Sequence, residues 1–163
     1  LEGKKIALWA PTFRGNAKFP YTAGIDIMER LELGDAWELV CKVHANAKET
    51  DRLFQPGIAA EELLPLADVV ITDYSEAALL EKPVVLFHPD GNAYEKTRGL
   101  YFPASDIPAP LAQDADSLRQ AIDTARDTYD QNAWRQFTNT YMSACDGNAT
   151  KRILDTVLER KVL

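Results

Sequence analysis

The sequence predicts an α/β domain built on a parallel sheet flanked by helices, and two observations carry that prediction. Short apolar runs of strand length alternate with segments of helical periodicity. The runs are apolar at consecutive positions, not at every second one, as strands covered on both faces must be. In such sheets ligands bind beyond the carboxyl ends of the strands, so chemistry is to be sought where each run stops.

Residues 5–11, KIALWAP, predict the first strand, broken at Pro11. Residues 25–33 read as a helix with Ile27, Met28 and Leu31 on one face and Gly34 as its stop. WELVCKVH (37–44) predicts the second strand, and AAEELLPLAD (59–68) a short helix bent or ended near Pro65. VVIT (69–72) is the third strand, SEAALLE (75–81) a short helix and PVVLFHP (83–89) the fourth strand. Past residue 110 the pattern turns helical. Ser117 and Gln120 have capping-box spacing ahead of a stripe of Leu118, Ile122 and Ala125. Trp134, Phe137 and Tyr141 form a second stripe, and Ile153, Leu154, Val157 and Leu158 a third; all three read as core packing.

A length of 163 residues suits one domain with its own core, and 46% hydrophobic with 26% charged residues is ordinary for a soluble globular protein. The net charge of −7 argues against general binding to nucleic acid or to an anionic membrane surface, though a local basic pocket is compatible with it. The two cysteines, Cys41 and Cys145, lack metal-ligand spacing and suit a reduced, cytoplasmic setting. No run approaches the roughly 18 apolar residues of a membrane-spanning helix. The first residues read as a strand, not a leader, and the missing initiating Met suggests a segment of a longer chain.

The first strand ends in APTFRG, where Thr12 and Arg14 offer a hydroxyl and a guanidinium able to grip phosphate. Alone, that motif is better explained as a surface turn. The second ends at His44, one of only two histidines, with Asn46 and Lys48 close behind. The third ends in TDYS. Ser75 can cap the helix that follows, and the same geometry aims the first amides and the helix dipole at an anion. Asp73 suits such a place only if it holds a backbone amide or Tyr74. The fourth strand leads to FHPDGNAYEKTRGLYF, where His88, Pro89, Asp90 and Gly91 are turn chemistry and Tyr94, Glu95 and Arg98 follow at helical spacing. Lys151 and Arg152, near the start of the last helix, oppose its dipole, a conflict that a bound anion would relieve. There is no GxGxxG, P-loop, GxSxG or paired-His motif. The residues themselves thus give a phosphate-friendly rim of Arg14, His44, Ser75 and Arg98, without a substrate.

Taken in this order, LWAPTFRG, VCKVHAN, LLPLADVVITDYS, ALLEKPVVLF, YEKTRGLYF, IPAP and DGNATKRI resemble the CDP-glycerol glycerophosphotransferase family of teichoic-acid synthesis, over residues 7 to 153. The resemblance implies a Rossmann-like domain, the carboxyl-terminal, donor-binding half of a GT-B architecture, with the acceptor surface and general base in an amino-terminal half outside this chain. It implies transfer of glycerol phosphate or ribitol phosphate from a CDP-alditol to a lipid-linked polyol-phosphate acceptor, with CMP leaving. It also implies a cytoplasmic enzyme, peripheral at the inner face of the cell membrane. Carried over by motif, His44 would be catalytic, and with the Ser75 helix start it would bind the pyrophosphate and stabilise the leaving CMP. Thr12, Arg14, Asp73, Tyr74, Glu95, Arg98 and Gly99 would be further substrate contacts. No metal or other cofactor is implied, and the isolated chain is expected to bind CMP or CDP-glycerol without turnover. The sequence departs from the family pattern at Ala45, where a Pro usually follows the His. It departs again at Glu76, where the family usually continues with a second Ser and about one more helical turn.

Two other readings compete. One is the donor half of a GT-B enzyme for another nucleotide-activated sugar. The other is a receiver-like signalling domain with Asp73 as phosphoacceptor. The second lacks an acidic pair after the first strand, where Thr12 and Arg14 stand, and Lys82 with Pro83 precedes a strand instead of following one.

Overall fold

The computed structural model describes residues 3–12, 14–16, 19–43, 58–73, 81–91, 93, 96, 99 and 101–159. Along them run β1 (Lys5–Trp9), β2 (Arg14–Asn16), β3 (Phe19–Tyr21), α1 (Ile25–Met28), β4 (Trp37–Cys41), α2 (Ala60–Leu63), β5 (Val69–Thr72), β6 (Val84–Phe87), β7 (Leu111–Ala112), α3 (Ala115–Thr124), α4 (Gln131–Tyr141) and α5 (Ala149–Glu159). Five strands form one sheet in the order β4-β1-β5-β6-β7, every neighbour parallel. The register places Ala7 opposite both Leu39 and Val69, and Ile71 opposite Val85.

The consecutive apolar runs have the predicted cause. Ala7, Trp9, Val69, Ile71, Val85 and Phe87 face one core with Met28, Leu118 and Ile122, so α1 and α3 cover that side. Leu8, Val70, Val84 and Leu86 face the other with Ile107, Trp134 and Phe137, beneath α4. All residues of β5 and β6 are buried, which leaves no room for alternation with polar residues. Phe102 locks the loop after β6 onto α4, 5.0 Å edge-to-face from Phe137 and 4.6 Å from Tyr141.

Several expectations need correction. The predicted first helix keeps a single turn, Ile25–Met28, although Leu31 is still buried. β7 was missed because two residues carry no periodicity; it pairs Leu86 with Leu111 and Phe87 with Ala112. APTFRG opens an antiparallel hairpin of β2 and β3, not a surface turn. The capping box of α3 starts three residues earlier than expected. Asp114 caps, accepting from the Ser117 amide at 2.8 Å, and the Ser117 hydroxyl accepts from the Asp114 amide at 3.2 Å. The stripe of Ile153, Leu154, Val157 and Leu158 is not core: these side chains are 48% to 64% exposed. The helix ending at Pro65 is present as α2 followed by a 3₁₀ turn, Leu64–Leu66. The predicted helix over residues 75–81 lies almost wholly outside the described residues.

Gly24 lets the chain between hairpin and α1 pass close over the end of β6. Its φ is +81°, and a Cβ there would sit 2.6 Å from Phe87 Cε1 and 2.7 Å from Pro89 Cγ. Gly24→Ala should therefore cost about 1–3 kcal/mol in denaturant unfolding, through overpacking and the left-handed backbone. Both cysteines are free, Cys41 buried and Cys145 exposed, and burial pushes the Cys41 thiol up to about 12. A thiol reagent at neutral pH should titrate Cys145 in the folded protein and reach Cys41 only on unfolding.

Candidate functional site

The strand order locates the site. From β1 the chain steps outward to β4 and then returns across β1 to β5, so the winding reverses between β1 and β5. In open parallel sheets the crevice at such a reversal, beyond the carboxyl ends, is the ligand site. Pro11 ends β1 there, and Thr72 and Asp73 end β5.

One interaction joins the two ends. Asp73, only 4% exposed, accepts from the Thr12 amide at 3.0 Å and from the Thr12 hydroxyl at 2.7 Å. The Thr72 hydroxyl donates to the Ala10 carbonyl at 3.0 Å, a second tie between the same strand ends. Asp73 thus holds a backbone amide, one of the two roles that the sequence left open for it.

Arg14 closes the arrangement from above. It is also 4% exposed, and its Nη1 donates to Asp73 Oδ2 at 2.5 Å and to the Thr12 hydroxyl at 3.0 Å. Its other edge meets Asp90, Nε at 2.8 Å and Nη2 at 3.3 Å. Burial alone would lower the Arg14 pKa, but the hydrogen bonds and charges of Asp90 and Asp73 raise it further. Burial likewise pushes the Asp90 carboxyl up, and the hydrogen bond and charge of Arg14 outweigh it and hold Asp90 below the usual carboxylate range. His88 completes the set, with Nε2 2.6 Å from the Asp73 carbonyl oxygen. A carbonyl only accepts, so Nε2 carries the proton.

Of the residues singled out from the sequence, Thr12, Arg14 and Asp73 come together here. Gly99 is exposed with φ at +70°, and among the described residues a Cβ on it would touch nothing within 4 Å, so backbone freedom is what the position uses. His44, Tyr74, Ser75, Glu95 and Arg98 lie outside the described residues. Sequence reasoning missed His88 and Asp90 as site residues, because HPDG reads as an ordinary turn. The Arg14 guanidinium lies between two carboxylates, Asp73 and Asp90. Asp73 as a phosphoacceptor finds no support, since both its oxygens are engaged and the group is buried.

The expected anion beside Lys151 and Arg152 is one of the chain's own carboxylates. Arg152 Nη1 lies 2.7 and 2.8 Å from the two oxygens of Asp146, and Lys151 pairs with Asp155 at 2.6 Å. Arg152 and the Asn148 amide hold the Asp146 carboxyl down at about 2. A recess of about 280 Å³ lies against α4, lined by Glu81, Tyr129, Arg135 and Asp146 among others, and includes none of the rim residues.

Taking away one partner of a buried ion pair leaves an uncompensated charge, so Arg14→Ala should cost about 3–5 kcal/mol in unfolding free energy. The pH dependence has a definite sign. A carboxyl held low in the folded state stabilises above its ordinary value of 3.8 and loses that contribution as pH falls through the lower folded value. The stability gap between wild type and Asp90→Asn should accordingly be widest near neutral pH and shrink as pH falls below the ordinary value of 3.8 in denaturant titrations.

The sequence matches the family profile described as CDP-Glycerol:Poly(glycerophosphate) glycerophosphotransferase over residues 1–159. The teichoic acid poly(ribitol-phosphate) polymerase of Bacillus spizizenii is 32% identical over 97% of this chain and 28% of its own. The teichoic acid glycerol-phosphate primase of Bacillus subtilis is 29% identical over 96% of this chain and 44% of its own. This chain therefore spans less than half the length of these relatives. The wall teichoic acid polymerase TagF superimposes with a TM-score of 0.68 at 26% identity, over 98% of this chain and 44% of TagF. The glycotransferase of kitacinnamycin shares the fold at a TM-score of 0.56 and 16% identity, over 96% of this chain and 43% of its own. The parallel sheet flanked by helices is thus that of GT-B transferases. The chain therefore belongs to the CDP-glycerol:poly(glycerophosphate) glycerophosphotransferase family.

Proposed function

We propose that this domain binds the CDP-alditol donor, CDP-glycerol or CDP-ribitol, as the carboxyl-terminal half of a cell-envelope polymer transferase. The observation that carries the reading is the clasp of Thr12 and Asp73 across the winding reversal, which ties together the two strand ends where parallel sheets take nucleotides. Family membership and the polymerase and primase names of the relatives support the substrate class.

In this reading His44 and the amides after Ser75 hold the pyrophosphate, with Tyr74, Glu95, Arg98 and Gly99 as further contacts. An acceptor hydroxyl attacks the phosphorus that carries the alditol, the bond to the CMP oxygen breaks, and CMP leaves with the electron pair. Donors aimed at the leaving phosphate stabilise the charge it acquires. The lipid-linked polyol-phosphate acceptor and the base that takes the hydroxyl proton belong to sequence beyond the part shared here, at the cytoplasmic face of the membrane. Among the described residues no helix is long and apolar enough to cross a bilayer.

Calorimetry with CMP, CDP-glycerol and UDP-sugars tests this directly. The cytidine ligands should bind and UDP-sugars should not compete. His44→Ala and Ser75→Ala should each weaken CMP binding by about 1–3 kcal/mol. Unchanged affinity in both variants, or a preference for UDP-sugars, refutes the assignment.

A further inference from the structure

The rim has a member that neither the motifs nor the relatives assign. β1 and β6 are not neighbours, since β5 lies between them, yet Arg14 and Asp90 join the loops that follow them. The ion pair is a strap across the end of β5. Beneath it Asp73 is held by Thr12 from one side, by Arg14 from above and, through its carbonyl, by His88 from the other side. Three strand ends are locked into one frame, two residues ahead of Ser75. Among the described residues, the two carboxylates outnumber the one guanidinium that they share, so the charge of Arg14 is already matched within the cluster. Its value to an anionic ligand must be geometric.

We propose that Asp90 is a positioning residue for the nucleotide donor: by gripping one edge of the Arg14 guanidinium it holds Arg14 over Asp73 and so fixes the end of β5 from which the phosphate-binding turn starts. Arg14 then serves the donor through Asp73, without touching phosphate. This rests on the donor-binding reading above.

The sign of one substitution separates geometry from charge. If Asp90 acted only as a nearby negative charge, Asp90→Asn would tighten binding of anionic CMP. As a positioning residue its loss should weaken CMP binding about tenfold by calorimetry, with Asp90→Glu recovering most of the affinity. Arg14→Lys keeps the cation but loses the fork that meets both carboxylates. It should show a similar loss, and the double variant Arg14→Lys/Asp90→Asn no further loss, because both break one strap. Thermal melts confirm that each variant is folded, and if Asp90→Asn does not fold, Arg14→Lys against Asp90→Glu carries the test. Equal or tighter CMP binding by Asp90→Asn, additive losses in the double variant, or an Arg14→Lys variant with wild-type affinity overturns the proposal while leaving the donor reading intact. A wild-type chain that binds no CMP overturns both.

Discussion

A buried guanidinium between two carboxylates governs the architecture of this rim. Taking Arg14 out of water is affordable only because Asp73 and Asp90 meet both its edges, and neither carboxylate could be placed there without it. Hydrogen bonds from Thr12 and the contact of His88 then use the acceptors that remain. The cluster is fully committed internally, which makes it a brace.

The brace works because the sheet beneath it is stiff. β5 and β6 are buried on both faces, between a core that includes Trp9 and Ile122 and another that includes Leu8 and Trp134. Close-packed strands cannot shift their ends independently. The glycine at position 24 brings the segment after the hairpin down onto Phe87 and Pro89, so the hairpin carrying Arg14 is followed by a segment seated against the same strand whose loop carries Asp90. On the far side, the aromatic contact of Phe102 with Phe137 and Tyr141 anchors the loop after β6 onto α4.

Where reading the sequence failed, the cause was local ambiguity settled by distant partners. Ser117 looked like a cap because Gln120 follows at the right spacing, but Asp114 occupies that role and Ser117 answers it from the third position. The stripe on α5 has the periodicity of a core helix and nothing among the described residues covers it. Periodicity reports that a face is apolar, not that a partner lies against it. Lys151 and Arg152 looked like cations in search of an anion, and the chain supplies Asp146 and Asp155.

Sequence by itself determined the class of fold, the position of the central strands and the family. Each of those rests on short-range pattern: runs of apolar residues, turn chemistry and ordered motifs. It also placed the condition on Asp73, that it must hold a backbone amide or Tyr74. The tertiary structure alone decided which amide, 61 residues away in the chain, and set Arg14 against Asp73. It alone brought in Asp90, 76 residues from Arg14, at a turn with no signal of its own. Long-range pairing of charges depends on which strand ends the sheet order sets side by side, and that order is written in no single segment.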